Sequence, residues 1–79
     1  MPRYYIHIYD DAVMIDRDGM ELRDLAAAKH EAIRGARSMM AEHLVAGRPL
    51  QLFHRVEIAD ESGKVLAVIP FRELVTIQE

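Results

Sequence analysis

Between Asp24 and Gly47 the chain carries one long helical stretch, and every other element has to be arranged around it. Leu25–Ala46 holds seven alanines and a single glycine, Gly35, and alanine loses least on entering a helix. Asp24 is a good N-cap, its carboxylate free to accept from first-turn N–H groups. Gly47 stands in the position that favours a left-handed residue after the last turn, and Pro49 forbids continuation. On a helical wheel Leu25, Ala28, Ala32, Ile33, Ala36, Met39, Met40 and Leu44 fall in one apolar stripe, while Glu31, Arg34, Arg37, Ser38 and Glu42 lie outside it. Lys29 and His43 intrude. Lys29 is expected to extend past a sheet edge, and His43 to sit at the core's rim near the helix C-terminus, where a protonated imidazole would favour the dipole. An alanine-rich stripe suits a helix lying close on a sheet.

The flanks supply the sheet. Residues 3–9 are β-branched and aromatic, and their alternation puts Tyr4, Ile6 and Ile8 on one face and Tyr5, His7 and Tyr9 on the other. Asp10-Asp11 reads as a turn and residues 12–16 as a short second strand, closed by the turn chemistry of Asp16-Arg17-Asp18-Gly19. After the helix, residues 52–59 read as a third strand, Asp60-Glu61-Ser62-Gly63 as a tight hairpin turn, and residues 64–69 as a fourth strand that Pro70 ends or confines to an edge. In the tail, Phe71 and Leu74 are expected to fold back onto the core. The order is ββαββ. It predicts an α+β fold in which a four-stranded antiparallel sheet carries one long helix packed on one face, with residues 1–79 forming a single domain. One helix covers one side, so the other face of the sheet is expected to stand open.

Charge and composition narrow the function classes. Ten basic against 13 acidic side chains give a net charge of −3, which makes nucleic acid an unfavoured partner. Residues 10–24 hold six acids against two bases, so the negative charge gathers in one loop region. No apolar run approaches the ~20 residues of a membrane helix. The first residues lack the long apolar stretch of a signal peptide, which predicts a cytoplasmic protein. With zero cysteines there is no disulfide and no thiolate metal site.

Met1-Pro2-Arg3-Tyr4-Tyr5-Ile6-His7-Ile8 resembles the start of a family of short, uncharacterised bacterial proteins that begin M-P-R-Y-[FY]-[FI]-H and are grouped as a domain of unknown function. The resemblance continues through Asp18-Gly19-Met20-Glu21-Leu22, Asp24-Leu25 with its alanine-rich helix, Gly47-Arg48-Pro49-Leu50, Asp60-Glu61-Ser62-Gly63 and Val68-Ile69-Pro70-Phe71. It implies a small cytoplasmic bacterial protein and supplies no catalytic residue or cofactor.

The residues themselves give little support for catalysis. His30 and His43 lie about 140° apart on the helix wheel. His7 shares a strand face with Tyr5 and Tyr9, whereas His54 shares the parity of Val56 and Ile58, so these two histidines are expected on opposite sides. No metal site is expected. Asp16-x-Asp18-Gly19 resembles half of a calcium loop, but the positions that would need acids hold Met14 and Leu25. Ser38 sits on the polar helix face and Ser62 in a turn, neither with a readable histidine–acid constellation. Met39-Met40 reads as core. No catalytic residue and no cofactor is therefore expected.

The open sheet face remains. Tyr5, His7 and Tyr9 from the first strand and Phe53, Arg55 and Glu57 from the third are expected to line it. Tyr, Phe and Arg are the residues enriched at protein hot spots. The chain is accordingly expected to act by binding, as a homodimer through this face or a strand edge, with a further protein partner possible. An aromatic platform for RNA, or an antitoxin-like regulatory module, is the alternative.

Overall fold

A computed structural model describes residues 1–78. The chain runs β1 (Arg3–Tyr9), β2 (Val13–Met14), β3 (Met20–Glu21), α1 (Leu25–Val45), β4 (Arg55–Ala59) and β5 (Val65–Pro70), followed by one 3₁₀ turn at Phe71–Glu73. All pairings are antiparallel, in the order β2-β1-β4-β5, with β3 also on β1. The architecture is α+β, and the ββαββ order holds if β2 and β3 are counted as one interrupted strand.

The sheet has five strands rather than four, and the extra one has a simple origin. β2 pairs only with the C-terminal end of β1 (Ile8 with Met14, Tyr9 with Val13), leaving the N-terminal half of that edge unpaired. Met20–Glu21 takes it up, Tyr4 opposite Met20 and Arg3 opposite Glu21, and Leu22 N–H adds a bond to the Pro2 carbonyl at 3.0 Å. Between the two pairings β1 spends residues 5–7 and its neighbour residues 15–19, so the edge strand carries two extra residues that bulge out as a loop.

The helix forms for the local reasons its sequence supplies. Asp24 Oδ1 accepts from Ala27 N–H at 2.9 Å. At the other end Gly47, with φ +72°, lets its own N–H reach the Leu44 carbonyl and Arg48 N–H reach that of His43, a Schellman closure. Twenty-one residues make a rod of about 32 Å. It lies over β1 and β4, at the centre of the sheet. Ala28, Ala32, Ala36 and Met40, spaced four apart, are its buried line. Beneath and around them lie Tyr4, Val56, Ile58, Ile69, Phe71 and Leu74. The stripe is not buried to its end: Leu44, in the last helical turn, is 65% exposed. The chain after β5 is tied back by Arg37, whose Nε donates to the Leu74 carbonyl at 3.0 Å.

Both sheet edges are interrupted. On one side the loop at 15–19 splits β2 from β3. On the other, β5 pairs Ala67 with Ile58 but Val65 with Ala59, so Leu66 is an extra residue and both Leu66 and Ala67 pack toward the helix. Pro70 closes β5. Phe71 N–H bonds the His54 carbonyl at 2.8 Å, so by alternation the missing N–H of Pro70 falls on the outer edge, where no ladder bond is lost.

Candidate functional site

Alternation along β1 sends Tyr5, His7 and Tyr9 to the face away from α1, opposite Ala59, Glu57 and Arg55 respectively. Val13, opposite Tyr9, and Val68, opposite Glu57, join them as exposed apolar side chains. The Arg55 guanidinium carbon lies 4.3 Å from the Tyr9 ring centroid, and Arg55 Nε donates to Glu57 Oε2 at 2.7 Å. Its charge is met within the sheet by a carboxylate and an aromatic ring.

Phe53 is not part of this group. The segment expected as strand from residue 52 enters the sheet only at Arg55, because Leu52 and Phe53 are taken up in a turn while the chain comes round from the helix end. His54 N–H reaches the Gln51 carbonyl there, and Arg72 N–H bonds Leu52. Phe53 is 72% exposed, its ring set edge-on to His54 at 4.6 Å.

The open face is also less bare than one uncovered sheet surface would be, because the loop at 15–19 folds against it. Asp16 N–H donates to His7 Nδ1 at 3.0 Å. The Asp16 carboxylate accepts three main-chain N–H groups: Ile6 on Oδ2 at 3.2 Å, and Asp18 and Gly19 on Oδ1 at 3.1 and 3.0 Å. Burial works to raise the Asp16 pKa, but those donors from Gly19, Ile6 and Asp18, with His7 alongside, hold it below the ordinary carboxylate value. On the other side of Tyr5, the β4–β5 turn borders an open, shallow concavity of about 190 Å³ lined by Tyr5, His7, Ala59, Asp60, Glu61 and Gly63.

A second grouping was not foreseen. The wheel and parity comparisons set His30 against His43 and His7 against His54, but the fold joins His43 and His54. β1 ends beside the start of β4, and a short connection brings the C-terminus of α1 to the same pole. His43 Nε2 therefore lies 3.9 Å from Asp10 Oδ2, and His54 Nε2 lies 3.7 Å from Asp11 Oδ1. His54 also stands edge-on to Phe71, 6.0 Å between ring centroids. Met39, Met40, Pro49, Leu50 and Gln51 complete a cleft of about 10 Å³, room for about one water molecule. Among the described residues no three His, Cys, Asp or Glu side chains stand close enough together to hold a metal ion. This pole can link the β1–β2 turn to the helix end and to the segment before β4. The antiparallel order of β1 and β4 with a short helix-to-strand connection was the signal that could have found it.

One helix laid across one face of an antiparallel sheet, with an aromatic stripe on the other, defines a small two-layer α+β domain. Residues 3–72 match the family described as Domain of unknown function (DUF6894), and the chain belongs to that family. No curated protein and no solved structure matches it.

Proposed function

We propose that this chain is a small binding protein that self-associates through the open face of its sheet and works without catalysing a reaction. The observation that carries this reading is a contrast between that face and the sheet's edges. Strand edges that invite pairing are long and regular. Here one edge is split by the loop at 15–19, and the other carries a bulge at Leu66 and ends in Pro70. The open face offers Tyr5, Tyr9, Val13 and Val68 around an Arg55–Glu57 pair that is already neutralised. Surfaces of that composition favour a protein partner. Arg55 is engaged by Glu57, and the chain carries a net charge of −3, so nucleic acid is the weaker reading.

The same proposal has the protein in the bacterial cytoplasm. The family-like opening Met1–His7 supports this. Among the described residues no helix is long and apolar enough to cross a membrane.

Sedimentation equilibrium tests the reading. A dimer is expected in the micromolar range, weakened by Val68→Asp, which places a charge on the open face at a half-exposed position beside Glu57. A chain that remains monomeric at high micromolar concentration overturns it. So does a dimer indifferent to Val68→Asp and to Tyr5→Ala. A salt-dependent electrophoretic shift with RNA would move the reading to nucleic acid.

A further inference from the structure

Charged side chains without an ion-pair partner among the described residues flank the open face on both sides of β1. The first is Arg17. The pairings Ile8 with Met14 and Tyr4 with Met20 bracket the loop at 15–19, which therefore stands beside Tyr5–His7 on the β2/β3 side. Arg17 is exposed in this loop and makes no ion pair among the described residues. Arg3, the neighbouring base, is engaged by Glu21 and by the Asp18 carbonyl.

The second charge lies across Tyr5, in the concavity lined by Tyr5, His7, Asp60 and Glu61. Asp60 Oδ1 accepts from the Ser62 hydroxyl and from the N–H groups of Ser62 and Lys64, which leaves Oδ2 without a partner among the described residues. Glu61 is exposed and likewise makes no ion pair among them. Lys64 stands near Asp60, but among the described residues no lysine or arginine lines the concavity. An aromatic ring beside two carboxylates is a setting for a guanidinium.

We propose that in the open-face dimer Arg17 of each copy enters the concavity of the other, its guanidinium against the Glu61 carboxylate and the Tyr5 ring. This rests on the open-face reading and specifies its geometry. A two-fold axis parallel to β1, running over Tyr5 and His7, exchanges left and right of β1 while keeping the level along the strand. It carries Arg17 of one copy from the β2/β3 side to a position over the last residues of β4 in the other, at the mouth of the concavity that Tyr5, His7, Ala59 and Glu61 line. Closed two-fold symmetry makes the same contact twice. Sheets packed face to face stand ~10 Å apart, a gap that two inward-reaching side chains fill.

Charge exchange tests the pairing. Arg17 and Glu61 are exposed and make no side-chain hydrogen bonds among the described residues, so Arg17→Glu and Glu61→Lys are expected to leave folding unchanged by circular dichroism. Each single variant is expected to raise the dimer dissociation constant about tenfold or more, because an attraction becomes a repulsion at two symmetric places. The double variant, which restores opposite charges with their positions exchanged, is expected to recover most of that loss. Single variants that dimerise like the parent, or a double variant no tighter than either single, overturn the pairing. A dimer lost on Val68→Asp yet indifferent to Arg17 and Glu61 overturns the pairing alone. A parent chain that never dimerises overturns the open-face reading with it.

Discussion

The main-chain N–H of Asp16 donates to Nδ1 of His7 across 3.0 Å, and so the loop that splits the sheet edge decides how the histidine on the open face carries its proton. A ring nitrogen that accepts a hydrogen bond has no hydrogen of its own. In the neutral ring the proton must therefore sit on Nε2, which faces the open side as a donor. Heteronuclear NMR at neutral or mildly alkaline pH is expected to show His7 as the Nε2–H tautomer. A ring protonated at Nδ1 in the neutral form would mean that the loop does not rest on the sheet in solution.

The Asp16 carboxylate should make that loop acid-sensitive. Burial opposes its ionisation, but the main-chain donors Gly19, Ile6 and Asp18 outweigh it, and the native carboxyl titrates below its unfolded counterpart of about 3.9. The ionised form then favours the native state at pH above about 4, and this contribution is lost as the pH falls through the lowered native value. Asp16→Ala is expected to lower stability by about 2 kcal/mol at pH 7, since three N–H groups lose a charged acceptor. Urea unfolding from pH 7 down to pH 3 should show parent and variant converging in acid. Parallel curves would show that Asp16 is not the group responsible.

The contrast between helix and loop shows which parts of the fold could be read from residues alone. Asp24 and Gly47 act on their own neighbours, through a side-chain acceptor and a positive φ, so both helix ends were legible to within a residue. The alternation of β1 was legible for a similar reason, since Tyr4, Ile6 and Ile8 repeat a period of two toward the core. β3 was hidden because two residues carry no period, and its pairing exists only through the free half of the β1 edge. Phe53 misled because Leu52-Phe53-His54 continues the apolar pattern of a strand, while the path from helix to sheet requires a turn there. The open-face stripe Tyr5, His7, Tyr9 and Arg55 was visible from parity. Its cover by Asp16 was not, since that depends on a two-residue mismatch between paired strands.

Gly19 is where that mismatch is most confined. Its φ is +71°, and a Cβ there would stand 2.9 Å from both Arg3 Cγ and Tyr5 Cε2 and 3.0 Å from the Tyr4 carbonyl oxygen. Gly63 in the β4–β5 turn has a similar φ of +88° but nothing within 4 Å of such a Cβ. Replacing either by alanine imposes the left-handed backbone on a residue that resists it, at about 1 kcal/mol. Only Gly19→Ala also forces the loop off β1, and it is expected to cost about 2 kcal/mol or more. Equal losses in denaturant midpoint for the two variants would show that the loop does not press on Arg3 and Tyr5.

Two phenylalanines flank His54 and should behave oppositely when removed. Phe71 is 2% exposed and is the largest of the fully buried side chains, packed where the chain turns out of β5 beneath the helix. Phe71→Ala is expected to cost about 3–5 kcal/mol through lost transfer energy and the cavity left behind, a large share of what so small a domain has. Phe53 touches the same imidazole from outside, in the turn before β4, and most of its surface is already in water. Phe53→Ala is expected to change stability by no more than about 0.5 kcal/mol. If the open face alone mediates self-association, it should also leave the dimer dissociation constant where it was. A strong loss of dimer on Phe53→Ala, with stability unchanged, would move the interface from the sheet face to the pole where His43, His54, Asp10 and Asp11 meet.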